Sequence, residues 1–122
     1  MDNVDMQPVR KWMEGLGKIV YAPTEKLRSE LYSHQKMRKQ FDVYRENGKL
    51  KQINPHEVDA KKESLSGLKS NDPDVIALAL VADVKLLISG DRNLHEDFKS
   101  IVQGSVYQNR KHCHLLKPDT CP

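Results

Sequence analysis

Cysteine is scarce in this sequence, which contains only Cys113 and Cys121. Two cysteines are too few for the disulfide framework of a small secreted domain, so we expect a reducing, cytoplasmic setting. No apolar run approaches the roughly 18 residues that a membrane span requires. The N-terminal segment MDNVDMQPVR also lacks the basic start and apolar stretch of a signal peptide. We therefore expect no association with a membrane.

Internal repeats, low-complexity tracts and linkers are also missing from the sequence. The 122 residues are long enough to bury a core, so residues 1–122 are predicted to form a single domain. Charged residues make up 30% of the chain and leave a net charge of +3. This mildly basic balance permits a polyanionic partner but does not require one.

Strand patterns alternate with helix patterns along the chain. Short β-branched, aromatic or apolar runs predict strands at KIVYAP (18–23), KLLIS (85–89) and SVYQ (105–108). Apolar spacing and capping residues predict five helices. They lie at 9–16, from Thr24 toward Gly48, from Asn54 onward, from Asp72 through DVIALALVAD, and at LHEDFKSIV (94–102). In the helix that begins at Asn54, the residues Val58, Leu65 and Leu68 are expected to face inward. The alternation predicts an α/β fold with a parallel sheet.

Other segments add detail to this prediction. Trp12 lies on the apolar face of the first helix and is expected in the core. The KLLIS run is too apolar for an edge and is predicted as a buried strand. HCHLLK (112–117) is predicted either to extend the sheet or to be tail. His112, Cys113, His114 and Cys121 are disfavoured as a zinc site, because they lack the usual paired spacings and because neighbours on a strand point to opposite faces.

Three acidic residues are predicted to meet at one edge of this sheet. Asp91 follows KLLIS, Asp72 starts the helix that leads to it, and Glu30 lies in the helix after KIVYAP. Ligands of parallel sheets bind beyond the carboxyl ends of the strands, where these positions would lie. Clustered carboxylates repel each other unless a cation or a shared proton compensates them, and oxygen ligands suit Mg²⁺ or Mn²⁺. A hard cation on a mildly basic protein suggests phosphodiester hydrolysis.

The motifs around these acids resemble a known family. NDPDVIALALVADVKLLISGDRNL (71–94) is similar to the second half of a PIN domain, and APTEKLRSELY (22–32) is similar to an earlier segment of that family. The resemblance covers about residues 8–108 and leaves 109–122 as a tail. It implies a three-layer α/β/α domain with a mainly parallel sheet, and a metal-dependent ribonuclease that is the toxin of a toxin–antitoxin pair.

The resemblance also implies roles for individual residues. Glu30, Asp72 and Asp91 would be the catalytic ligands of Mg²⁺ or Mn²⁺, and Glu25 is a weaker choice than Glu30. Asp5 and Asp74 are weaker candidates for metal ligands, and the alternative role of Asp74 is that of a first-turn acid, which the helix dipole stabilises. The expected partners are RNA, an antitoxin protein and a second copy of the chain.

One departure from the family concerns the N-terminus. PIN domains open with an apolar strand that ends in a metal-binding Asp, and MDNVDMQPV leaves no room for that strand. Asp2 or Asp5 could stand in for the missing acid. The chain would then be a shortened member of the family, and the alternative function is a PIN-derived RNA-binding or protein-binding module without catalysis.

Ordinary structural roles compete with each functional assignment. Asp72 before Pro73 is sufficient as a helix cap, and Asp91 in SGDRN is sufficient as a turn residue. The run KMRKQFDVYRENGKLK (36–51) is either a solvated helix face or a groove for the RNA backbone with an aromatic ring for stacking. The residues expected to bind nucleic acid are Lys36, Arg38, Lys39, Arg45 and Arg92.

Overall fold

The structure is a computed structural model that describes residues 4–15, 17–33 and 35–116. Asp2, Cys121 and the rest of the predicted tail beyond residue 116 lie outside the described residues. The chain divides into two compact units. Residues 18–84 form one, here called the central unit, and the two ends of the chain, up to residue 17 and from residue 85, form the terminal unit. The single domain expected from length stays a prediction.

Helices and short strands alternate along the chain. In order, the described elements are a 3₁₀ turn (Val4–Met6), α1 (Gln7–Glu14), β1 (Ile19–Tyr21), α2 (Glu25–Tyr32), α3 (Gln35–Glu46), β2 (Leu50–Gln52), α4 (Pro55–Glu63), α5 (Pro73–Ala82), β3 (Leu86–Ile88), α6 (Arg92–Asp97), a π-helical turn (Phe98–Val102), β4 (Ser105–Tyr107) and a 3₁₀ helix (Arg110–Leu115). The α/β class predicted from the sequence is therefore confirmed.

All strand pairs among the described residues are parallel. β1 pairs with β2 in the central unit, with Ile19 opposite Leu50. β3 pairs with β4 in the terminal unit, with Leu86 opposite Ser105. These are two separate two-stranded sheets. The parallel pairing is as predicted, and the arrangement of three layers around one sheet stays a prediction.

The helix predicted from Thr24 toward Gly48 is wrong in one respect, because it is broken into α2 and α3. α2 ends at Tyr32, and the Ser33 hydroxyl donates a hydrogen bond to the backbone oxygen of Glu30 at 2.7 Å. Such local bonds compete with helix continuation. After α3, the sequence analysis missed β2, because its central and last residues, Lys51 and Gln52, are exposed and give no apolar alternation.

The core of the central unit forms where α4 and α5 pack together beside β1. Ala22, Val58, Ala77 and Leu78 make one buried cluster. Val58 therefore faces inward as predicted. The other two residues assigned to the same helix face are not helical, because α4 ends at Glu63, before Leu65 and Leu68. The Asn54 cap is confirmed, since its Oδ1 accepts a hydrogen bond from the His56 backbone at 2.9 Å.

The core of the terminal unit joins the chain's two ends. Val9, Tyr107, Cys113 and Leu116 form its buried cluster, and Trp12 packs against them as predicted. HCHLLK was expected as a strand or tail, but through Leu115 it lies in a 3₁₀ helix. Its buried residues, Cys113 and Leu116, are three positions apart, which is the spacing of a 3₁₀ helix and not the alternation of a strand.

Cys113 and the strand β3 also differ from expectation. Cys113 is disulfide-bonded, so it is not the reduced thiol that the sequence suggested. A low cysteine number argues against a framework of several bridges and does not exclude one bond. Leu86, Leu87 and Ile88 of β3 are half-buried rather than fully buried. β3 has only β4 as a strand partner among the described residues, so it is an edge strand of its sheet. The prediction that its apolar composition excludes an edge position is therefore wrong.

Gly104 should tolerate no larger residue. A Cβ at this position would lie 2.5 Å from Phe98 Cε1 and 2.6 Å from the backbone oxygen of Lys85, so backbone must move. We expect Gly104→Ala to lower the free energy of unfolding by about 1–3 kcal/mol. Gly90→Ala is the matched control, because its Cβ would meet nothing within 4 Å, and the change should be neutral or slightly stabilising. Urea denaturation measures both, and equal stabilities would contradict the close approach.

Candidate functional site

The start of α5 carries two of the candidate acids, and the first of them does not act as expected. α5 begins at Pro73 and Asp72 occupies the N-cap position, both as predicted. However, the Asp72 side chain makes no capping hydrogen bond. Its Oδ1 instead lies 3.2 Å from Lys26 Nζ of α2, and the same ammonium donates to the backbone oxygen of Asn71. Asp72 therefore ties α5 to α2 rather than capping its own helix.

Asp74 is the most deeply buried acid of the central unit, with 1% of its surface exposed. Thr24 donates its hydroxyl to Asp74 Oδ2 at 2.6 Å. Thr24 follows β1 and also caps α2, because its Oγ1 accepts a hydrogen bond from the Leu27 backbone at 3.3 Å. Asp74 therefore lies just beyond the carboxyl end of β1, the edge at which parallel sheets bind ligands.

The second oxygen of the Asp74 carboxylate is incompletely satisfied. Lys62 Nζ of α4 lies 3.2 Å from Asp74 Oδ1, close enough for an ion pair. The contact lacks hydrogen-bond geometry, and no group among the described residues donates a hydrogen bond to this buried oxygen. A buried carboxylate oxygen without a donor is costly, so it has capacity for a cation or for a donor from a ligand.

A pocket of about 690 Å³ opens beside this carboxylate. Asp74, Lys26 and Lys62 line it together with the loop that joins α4 to α5, which contributes Ser66, Gly67, Ser70 and Asn71. Asp74 and Glu63 line the pocket and Asp72 lies beside it, so three acidic residues and two lysines lie at or beside one cavity in the central unit. Carboxylate oxygens suit a hard cation, and lysine amines suit a phosphate, so the wall can serve both ions of a metal–phosphate pair.

Glu30 and Asp91 lie away from the start of α5 in the sequence, and the structure gives each a local setting. Glu30 is exposed on α2 of the central unit. Asp91 belongs to the terminal unit and caps α6, with Oδ1 accepting hydrogen bonds from Asn93 at 3.0 Å and Leu94 at 3.4 Å. Among the described residues, no three His, Cys, Asp or Glu side chains form a group that could hold a metal ion. The convergence of Glu30, Asp72 and Asp91 stays a prediction.

Asp5, the weaker candidate in the terminal unit, contacts the C-terminal part of that unit. Its Oδ1 accepts a hydrogen bond from the Arg110 backbone at 3.3 Å, and its backbone oxygen accepts one from the Tyr107 hydroxyl. Burial raises the pKa of Tyr107, the nearby Asp5 carboxylate raises it further, and Arg110 lowers it. Asp5 therefore helps to fasten the chain start in the terminal unit, and a metal-binding role for it stays a prediction.

His95 is a buried polar residue that the sequence analysis missed. It is 5% exposed in α6, its Nε2 lies 2.5 Å from the Ser89 backbone oxygen and its Nδ1 lies 2.5 Å from Gln108 Nε2. Both contacts lie just beyond β3 and β4, at the carboxyl edge of their sheet. With both nitrogens engaged, His95 serves to join the two strand ends. Its single position in LHEDF offered no spacing pattern that would have revealed this.

The basic residues expected to bind nucleic acid lie on two helices. On α3, Lys36, Lys39 and Arg45 are exposed, and Arg45 pairs with Asp42. Arg38 is half-buried, with its Cζ 5.4 Å from the centre of the Tyr32 ring. Arg92, the first residue of α6, is exposed in the terminal unit. Lys85 is not available as a free phosphate ligand, because its Nζ donates to the Val102 backbone oxygen at 2.7 Å.

Comparison with known proteins adds no family to these observations. No family model, no curated protein and no solved structure matches the chain. In the part of the chain that the structure describes, no helix is long and apolar enough to cross a membrane. The resemblance to PIN domains therefore rests on its sequence motifs alone.

Proposed function

We propose that this chain is a PIN-like, metal-dependent ribonuclease whose acidic site includes Asp72 and Asp74. The observation that carries the proposal is the Asp74 carboxylate, which is 1% exposed and has one oxygen without a hydrogen-bond donor among the described residues. A purely structural carboxylate at this depth would be expected to have both oxygens satisfied. We therefore propose Asp74 as the principal metal ligand, a role that the sequence motifs had assigned to Asp72.

The donor set at this pocket fits magnesium or manganese. Mg²⁺ in phosphate chemistry is commonly held by one or two carboxylates, with waters and substrate phosphates completing its shell. Asp72 and Asp74 would hold such an ion in this proposal. Glu30 and Asp91 remain proposed additional ligands on the resemblance to PIN domains. The ion would supply Lewis-acid chemistry by lowering the pKa of a bound water and stabilising charge on the phosphate.

The chain's own side chains have separate parts in this account. Thr24 orients Asp74 through the 2.6 Å hydrogen bond, so it acts as a positioning residue. Lys26 and Lys62 now compensate the two carboxylates at 3.2 Å. With the carboxylates holding a cation, the ammonium groups of Lys26 and Lys62 would be free to donate to the phosphate of RNA. The lysines would then bind the substrate, and the carboxylates would bind the ion.

The biological setting proposed for this activity follows the resemblance alone. The enzyme would be the toxin of a toxin–antitoxin pair in the cytoplasm, and its partner protein would cover the acidic pocket. Pairing of two copies of the chain is a further proposal. The net charge of +3 is compatible with a polyanionic substrate.

Cleavage of a fluorescent RNA, with Mg²⁺ or with EDTA, tests the proposal. We expect EDTA-sensitive cleavage, and both Asp72→Asn and Asp74→Asn should reduce its rate at least about 100-fold, because each removes an anionic ligand. Asp59→Asn is the matched control, since Asp59 lies on α4 and is 48% exposed beside the same Lys62. Its cleavage rate should change less than about twofold. Melting curves show whether each variant is folded.

Two results would contradict this proposal. Cleavage that persists in EDTA would show that the reaction does not need a metal ion. Equal cleavage rates for Asp74→Asn and wild type would show that the acidic pocket does not take part in the reaction.

A binding module without catalysis is the second candidate. One observation favours it, namely that both acids at the start of α5 are already compensated by lysine ammonium groups. Asp91 is likewise engaged as the cap of α6. RNA binding without cleavage under any metal condition would decide for this candidate.

A further inference from the structure

A second pocket of the central unit lies where α2 and α3 meet the β1–β2 sheet. It has a volume of about 270 Å³ and is separate from the acidic pocket, with which it shares no lining residue. Three aromatic and three arginine side chains line most of its wall, here called the arginine–aromatic pocket: Tyr21, Tyr32, Phe41, Arg28, Arg38 and Arg45. The basic residues of α3 were predicted from the sequence, but this pocket was not.

Two of the pocket's aromatic rings contact each other, and the third is largely exposed. Tyr21 and Phe41 meet edge to face, with ring centres 5.4 Å apart and an interplanar angle of 90°. Arg38 lies over the Tyr32 ring at 5.4 Å, and Tyr32 is 58% exposed. An exposed aromatic ring beside guanidinium planes is a platform on which a planar base can stack.

The charges of the pocket favour an anion. Its lining contains three arginines against one carboxylate, Asp42, which pairs with Arg45. No carboxylate among the described residues forms an ion pair with Arg28 or Arg38, so both add positive charge to the wall. Guanidinium groups bind phosphate with two parallel hydrogen bonds, so they recognise its shape as well as its charge.

A buried hydroxyl provides a third, independent observation. The Tyr21 hydroxyl oxygen is buried, and no group among the described residues hydrogen-bonds to it. Burying such a group without a partner is unfavourable. A ligand with a polar edge that enters beside Tyr21 would satisfy this hydroxyl, whereas an aliphatic ligand would not.

From these observations we propose that the arginine–aromatic pocket binds one nucleotide of single-stranded RNA. The base stacks on Tyr32, and the phosphate lies against Arg28 and Arg38. This inference rests on the proposed function, because it assigns a substrate subsite to the same enzyme. Pro23 lines the pocket, and the next residue, Thr24, holds Asp74. Consecutive residues, Pro23 and Thr24, therefore contribute to the nucleotide subsite and to the acidic site.

Binding of a labelled single-stranded RNA oligonucleotide, measured in EDTA so that no metal-dependent cleavage occurs, tests the subsite. Tyr32→Ala should weaken binding by about 5- to 150-fold, because it removes a stacking platform. Arg38→Gln should also weaken binding and should lower the salt dependence by about one counterion. Adenosine monophosphate should compete with the oligonucleotide for the wild-type protein.

Lys51→Gln is the matched control for the arginine change. It removes one positive charge from β2, next to the pocket-lining Leu50 and Gln52. Side chains alternate along a strand, so Lys51 points to the opposite face. Binding by this variant should stay within about twofold of wild type at moderate salt. Unchanged melting temperatures establish that the three variants are folded.

Several outcomes overturn the subsite. Equal losses for Arg38→Gln and Lys51→Gln would show general charge attraction only. Unchanged binding by Tyr32→Ala would remove the stacking platform. Competition by an acidic peptide, with none by adenosine monophosphate, would assign the pocket to a protein partner.

Cleavage of the same oligonucleotide in Mg²⁺ separates this inference from the proposed function. Cleavage by wild type with unaffected binding by the pocket variants would refute the subsite and leave the nuclease standing. Lost binding by the pocket variants without any cleavage by wild type would support the subsite and refute the nuclease.

Discussion

Replacing Asp74 with alanine is expected to lower the free energy of unfolding by about 2–3 kcal/mol. The change leaves the Thr24 hydroxyl, in a residue only 2% exposed, without its acceptor and removes the ion pair with Lys62. Lys62 can turn toward solvent, since its side chain is 35% exposed, so the ion pair contributes little to this estimate. Most of the expected loss comes from the charge-assisted hydrogen bond to Thr24.

Urea denaturation of Asp74→Ala and Asp59→Ala compares a buried with an exposed acid beside the same lysine. Asp59→Ala should stay within about 0.5 kcal/mol of wild type, because its pair with Lys62 is long and exposed. A stabilised Asp74→Ala would mean that repulsion or desolvation of the carboxylate outweighs its bonds. That result would contradict the compensated arrangement described for the start of α5.

Truncation of Phe98 to alanine is expected to have the largest effect on stability, about 3–5 kcal/mol. Phe98 is 1% exposed in the π-helical turn that precedes β4, and its ring fills the space over Gly104. Removing the ring loses its burial and leaves a cavity that the tight Gly104 backbone cannot close easily.

The matched control for this change is Val4→Ala in the same unit, because Val4 is 50% exposed. It should change the free energy of unfolding by less than about 0.5 kcal/mol. Phe98→Leu should lie between the two. Denaturant curves followed by circular dichroism measure all three, and a loss below about 1 kcal/mol for Phe98→Ala would contradict a packed terminal unit.

The sequence correctly predicted the helices and strands that are specified by residues close together in the chain. The apolar spacing of α1, the Asn54 cap before Pro55 and the β-branched run of β1 each involve residues close in sequence. The same patterns missed β2, because Lys51 and Gln52 are exposed and the strand exists through its pairing with β1. A three-residue polar strand carries no alternation that a single sequence can reveal.

At the candidate site, too, the sequence predicted the local structure but not the contacts with residues distant in the chain. The pair Asp72–Pro73 predicts a helix start correctly, but the partner of the Asp72 side chain is Lys26, 46 positions earlier. Asp74 reads as an ordinary first-turn acid until Thr24, 50 positions earlier, contacts it. Capping rules describe only residues that are neighbours in the sequence. They could not show that Asp74 is a better candidate for the metal ligand than Asp72.

Titration of the isotopically labelled protein with Mn²⁺, followed by amide-resolved nuclear magnetic resonance, tests the central claim most directly. The amides of Thr24, Asp72 and Asp74 should broaden together at low Mn²⁺, and EDTA should restore their signals. Asp74→Asn should abolish this broadening, while Asp59→Asn should not. Broadening that spares these amides and is confined to His112–His114 would contradict a metal site at the start of α5.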